Sequence, residues 1–267
     1  MLEHYAGAVA IALYSGLLLA LIKNIDRWVP RSNMPAPYLV ASLAALAAHS
    51  LSVYAALYTP DGLSLGIFSV FALICWVVNI ILIASSLRAP VTLLLPPMFA
   101  VSIAALAGLM AFNGQQPPKH YPVEIALHIL LSIAAYSVLV VTTGQAVMVA
   151  LQDKLLREHR VRRAMKFLPP LRSMETVLFQ FLTAGVVLLA LSVITGFFFF
   201  DDIKTQHLAH KMFFSTAGLL VYGVLLWGHW TRGWRGVTAL RLCIAGFLLL
   251  VLGYFGSKWV LEILLAR

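Results

Sequence analysis

Eight apolar runs, each about as long as a bilayer is thick, follow one another along this chain and leave it little choice of solvent. A spanning helix needs about 20 mostly apolar residues to cover roughly 30 Å of hydrocarbon. Punctuated by Pro, Gly and charge, the runs fall near 4 to 22, 37 to 58, 64 to 86, 91 to 112, 123 to 151, 175 to 199, 207 to 230 and 238 to 264. Only Arg88 and Pro90 break the stretch around Leu87 to Thr92, where a kinked re-entrant element is the alternative. Two helices are expected there, because the combined run is too long for one. With 61% hydrophobic and 11% charged residues over 267 positions, a soluble domain would lack polar surface. The expected fold is all-α: a polytopic membrane helix bundle of about eight transmembrane helices forming a single membrane domain over 1–267.

The formal charge of +9 would suggest nucleic acid in a soluble protein, but here it sorts by loop. Fourteen of the 19 Lys and Arg fall after the first, third, fifth and seventh spans, seven of them after the fifth. Positive loops stay in the cytoplasm, so both termini are expected on the periplasmic side of a bacterial inner membrane, in contact with lipid and not with nucleic acid. The first run, His4 to Leu21, has Glu3 before it and Lys23, Arg27 and Arg31 after it, the reverse of a secretory signal, and is expected to be retained. The basic segment Gln152 to Arg172, with Arg160, Arg162 and Arg163, reads first as a solvated topogenic loop. Its other readings are a surface for anionic lipid or for another inner membrane protein. Cys75 and Cys243 lie far apart in apolar runs and read as small core residues. No internal repeat stands out.

Six histidines fall within these spans; His4 and His207 stand at the first residue of theirs, and His49, His128, His210 and His229 lie further in. Ionisable groups placed in lipid are costly enough to be read as functional. At about 1.5 Å per residue, His128 lies roughly 8 Å below the outer end of the fifth span and His210 about 5 Å below that of the seventh. The same arithmetic puts His49 roughly 14 Å deep and His229 about 33 Å from the outer end. Two axial ligands of one iron need similar heights, so His128 with His210 is the easiest pairing, and His128 with His49 the next. Ser132 and Tyr136 follow His128 on one helix face, and Ser215, Tyr222 and His229 recur at intervals of seven, so both helices turn polar stripes toward neighbours. Such stripes serve interhelical hydrogen bonding, and imidazoles within them also suit haem iron, a transition metal or a proton relay. His4, His120 and His159, in loops or at ends, read as solvated.

Two segments carry a resemblance: HILLSIAAYSVLVVTTGQAVMVALQDKLL from His128 to Leu156, and HKMFFSTAGLLVYGVLLWGHWTRGWRGVTALRL from His210 to Leu242, with GYFGSKWVLE following. The chain resembles the cytochrome c assembly protein family, the membrane haem-handling proteins related to CcsA, and within it the HemX-like and YpjD-like inner membrane branch, over about 40–265. The resemblance implies that His128 matches an external haem ligand, and that His229, before the Trp234-Arg235-Gly236 turn, matches an intramembrane one. The family's tryptophan-rich external segment is absent: Asp201 to Lys211 holds no Trp, and Gly253 to Glu262 no histidine. His210 is the geometric substitute for the missing ligand.

The function expected is therefore haem handling, with haem b held near the outer face by His128 and either His210 or His49, in an accessory role and not as a self-sufficient haem ligase. A haem-free structural or regulatory subunit docking through the basic loop is the second reading. A transporter using the histidines for ions or protons is the third.

Overall fold

The computed structural model describes residues 2–24, 34–112, 117–157, 169–199 and 209–256. Among them are eight helices long and apolar enough to cross a membrane. They are α1 (Leu2–Lys23), α2 (Ala36–Leu57), α3 (Ile67–Ser85), α4 (Leu95–Phe112), α5 (Val123–Arg157), α6 (Leu171–Phe199), α7 (Ala209–Arg232) and α8 (Val237–Val251). A π-turn, Leu252–Gly256, prolongs α8. Helices are what lipid demands, since each N–H and C=O in hydrocarbon must find its partner within the segment.

Boundaries follow the punctuation. Pro35 precedes α2, Gly66 precedes α3, and the break at Arg88 and Pro90 separates two helices, joined through a 3-10 turn at Thr92–Leu94. The main departures from the sequence reading lie in the C-terminal half. Helix α5 continues to Arg157, and α6 begins at Leu171, because Gln152, Asp153 and Lys154 extend the helix although they end the apolar run.

The helices divide into two compact units of four, α1–α4 within Met1–Tyr121 and α5–α8 after it. In the first, α1 packs on α2 and α4, and α3 packs on α2 and α4. A short hairpin, β1 (Tyr58–Thr59) with β2 (Gly62–Leu63), joins α2 to α3 and pairs onward with Lys119. In the second, α5 packs along α6 and α8, and α7 packs on α6 and α8.

Candidate functional site

In the second unit, the start of α5 meets the end of α6, which places His128 against Ser192 and Thr195. Its Nδ1 lies 3.0 Å from the Ser192 carbonyl and 3.2 Å from Thr195 Oγ1. A carbonyl only accepts, and the Thr195 hydroxyl itself donates to main-chain oxygens, so Nδ1 carries the proton. The lone pair is thereby assigned to Nε2, with the Ser132 hydroxyl 3.4 Å away. Ser132 also bonds the His128 carbonyl and the Ser192 hydroxyl, so the polar stripe read from the sequence does face a neighbouring helix. Gly196 makes the approach feasible: a Cβ there would stand 3.0 Å from the His128 ring.

One turn past Ser132, Tyr136 donates to the Leu250 carbonyl of α8 and meets the Ser215 hydroxyl of α7. His128, in the second turn of α5, and His210, in the first turn of α7, both precede this contact on their helices and so occupy the same end of the unit. His128 is half-buried and His210 exposed. The π-turn carries Tyr254, whose ring meets that of Tyr136 edge-on at 6.1 Å and has the Lys211 ammonium 5.8 Å from its centroid.

His229 sits at the opposite end of the unit. Its ring stacks on Phe179 at 3.4 Å between centroids, 13° from parallel, and its Nδ1 lies 2.9 Å from the Trp234 carbonyl. The same donor argument puts its lone pair on Nε2. Glycines shape the turn after α7: Gly233, at φ 67°, brings Trp234 back onto α7, and Gly236, at φ 58° and ψ −126°, opens α8 in a conformation that a side chain would strain. Arg232 lies over both Trp227 and Trp234.

His49 belongs to the first unit and is built differently. Its Nδ1 lies 3.2 Å from the hydroxyl of Tyr14, which also accepts from Asn79 Nδ2 at 3.4 Å. Asn79 Nδ2 donates as well to Ser102 Oγ at 2.7 Å, and Ser102 donates to the Met98 carbonyl. All four side chains are completely buried, one from each helix of the unit. The arrangement that uses the phenolic proton has Tyr14 donating to Nδ1, so the His49 lone pair is engaged by a hydroxyl. Tyr14, Asn79 and Ser102 escaped the sequence reading, although each is a polar residue near the middle of its apolar run, which was the available signal.

Among the described residues, no three His, Cys, Asp or Glu side chains converge as a metal-ligand set. Arg160, Arg162 and Arg163, singled out for docking, lie outside the described residues.

The model of the cytochrome c assembly protein family matches residues 37–265. The chain belongs to this family. It is 30% identical over 231 residues to the inner membrane protein YpjD of Escherichia coli K12, a match covering 85% of this chain and 87% of that one. It is also 31% identical over 181 residues to a 28.8 kDa protein from the region 5' of a nifR3-like gene in Azospirillum brasilense, covering 65% of each. No solved structure matches it. As a cytochrome c assembly family member with eight spanning helices, the chain is a multi-pass inner membrane protein with a role of the cytochrome c assembly type. All four histidines fall within the family match, whereas Tyr14, on α1, precedes it.

Proposed function

We propose that this protein handles haem, binding haem b at the end of the second unit that carries His128 and His210, as an accessory in cytochrome c assembly. The observation that carries the reading is the His128 ring, whose Nδ1–H is claimed by the Ser192 carbonyl. Iron-binding histidines commonly donate their second nitrogen to a carbonyl, which fixes the tautomer and raises ligand basicity. His210, at the same end of the unit, is the second residue that would hold the haem. Bound haem would supply a redox-active iron centre. Ser132 and Ser192 keep the His128 ring oriented, and Gly196 leaves it the space to stand beside α6. His49 is assigned a structural part, because its lone pair already receives the Tyr14 proton.

We assign this end to the periplasmic face and the basic loop after α5 to the cytoplasm, an orientation that the distribution of Lys and Arg supports. The protein purified from membranes is expected to show a b-type spectrum that His128→Ala abolishes. A colourless preparation that hemin cannot restore overturns the reading.

A further inference from the structure

The two helices that meet at the Trp234 turn each carry an exposed apolar row, Leu220, Val224 and Trp227 on α7 and Val237, Ile244 and Leu248 on α8. Each row has the spacing of one helix face, and on a spanning helix such a face is covered by acyl chains. At the turn the character changes. Trp227 and Trp230 are 54% and 70% exposed, as suits indoles at headgroup level, and Arg232, Arg235 and Arg241 are exposed as well. The Arg232 guanidinium lies 5.3 Å from the ring centroid of Trp227 and 5.9 Å from that of Trp234, contacts that hold the cation while leaving its N–H edges open. Arg241 interrupts the row on α8, four residues after Val237 and so about 6 Å into the helix. A cation there is costly in hydrocarbon and opposes the helix dipole, but its Cα–Cβ bond tilts toward the helix start, so the long stem returns the charge to the turn. Among the described residues no carboxylate pairs with any of the three arginines, although that of Asp153 stands beside Gly236.

We infer that Arg232, Arg235 and Arg241 bind the phosphate of an anionic phospholipid whose acyl chains lie along the exposed rows of α7 and α8. Guanidinium forks match a phosphate's oxygens, and the apolar rows continue from the turn in the direction that the chains of such a lipid must take. Basic residues beside spanning helices draw anionic lipid in this way. The inference is independent of the haem reading, since it uses the opposite end of the unit from His128.

The test is fluorescence quenching of the full-length protein in phosphatidylcholine vesicles that contain rising fractions of brominated phosphatidylglycerol or, in parallel, of brominated phosphatidylcholine. Bromine quenches tryptophan on contact, and Trp227, Trp230 and Trp234 are three of the six in the chain. The wild type is expected to prefer phosphatidylglycerol roughly tenfold. Arg232→Gln and Arg241→Gln should each lower that preference roughly fivefold, the factor that one basic residue near an anionic surface gives. Arg172→Gln, which removes one exposed charge from the start of α6 at the same end of the unit, should leave it unchanged. Unaltered quenching by brominated phosphatidylcholine certifies that a variant has inserted and folded, and if Arg232→Gln does not, Arg235→Gln reads the same loss. Equal quenching of the wild type by the two lipids overturns the inference. So does a loss in Arg172→Gln as large as that in Arg232→Gln, which would show diffuse attraction by positive charge and no site.

Discussion

The phenol of Tyr14 and the imidazole of His49 meet at 3.2 Å inside the first helical unit, both fully buried, with their rings edge-on. Asn79 and Ser102 complete a hydrogen-bonded set that draws one residue from each of α1 to α4. The whole set is neutral, which is the inexpensive way to place polar groups in hydrocarbon. Interhelical hydrogen bonds in membranes are worth about 0.6 kcal/mol on average and up to about 1.7. Tyr14→Phe is therefore expected to destabilise by about 1 kcal/mol, with a double-mutant cycle against His49→Ala giving coupling of similar size. Additivity of the two changes would show that the contact carries no energy.

His49→Ala is also expected to leave any Soret band at full intensity, because the lone pair of His49 is occupied by Tyr14. Loss of the band in this variant, with folding intact, would return His49 to the set of iron ligands.

Gly196 controls the space beside His128. A Cβ at 3.0 Å from the ring requires a shift of a few tenths of an ångström, and two further methyl groups require more. Gly196→Ala should weaken hemin binding several-fold and Gly196→Val should abolish it, while both proteins remain helical by circular dichroism. Wild-type affinity in Gly196→Val would show that the ring's position there is irrelevant to haem.

At Gly236 the cost is conformational. The positive φ is expected to make Gly236→Ala destabilising by about 1–3 kcal/mol, since a Cβ there meets only Asp153 at an ordinary 3.6 Å and backbone strain is the dominant effect. Gly16→Ala, on a helix with open space around it, serves as the control and should be neutral or mildly stabilising in thermal unfolding.

Orientation can be read with a membrane-impermeant maleimide. Cys75 and Cys243 are 2% and 0% exposed, so the native chain should stay unlabelled. His120→Cys, exposed between α4 and α5, should label in intact spheroplasts, and Thr231→Cys, exposed at the end of α7, only after permeabilisation. The opposite pattern would invert the assigned topology.

The spans were legible because hydrocarbon permits so few solutions: length and apolar content located all eight, and even the weak break at Arg88 and Pro90 resolved into two helices. The inward stripe of His128, Ser132 and Tyr136 was legible too, since helical periodicity fixes which residues share a face. The division into two units was not, because lipid-facing and neighbour-facing apolar residues look alike in sequence. Nor was the difference between His49 and His128. Both are histidines in apolar runs, and only tertiary contact decides whether a hydroxyl donates to the ring or a carbonyl accepts from it.

Helix α5 has one more consequence. Its 35 residues make a rod about 52 Å long, some 20 Å in excess of the hydrocarbon it crosses. That surplus is not left bare at its far end: Gln152 is buried, and the Asp153 carboxylate lies beside Gly236 in the turn between α7 and α8. The overlong helix thus serves as a brace, and trimming it would disturb the same turn that holds Trp234 against His229.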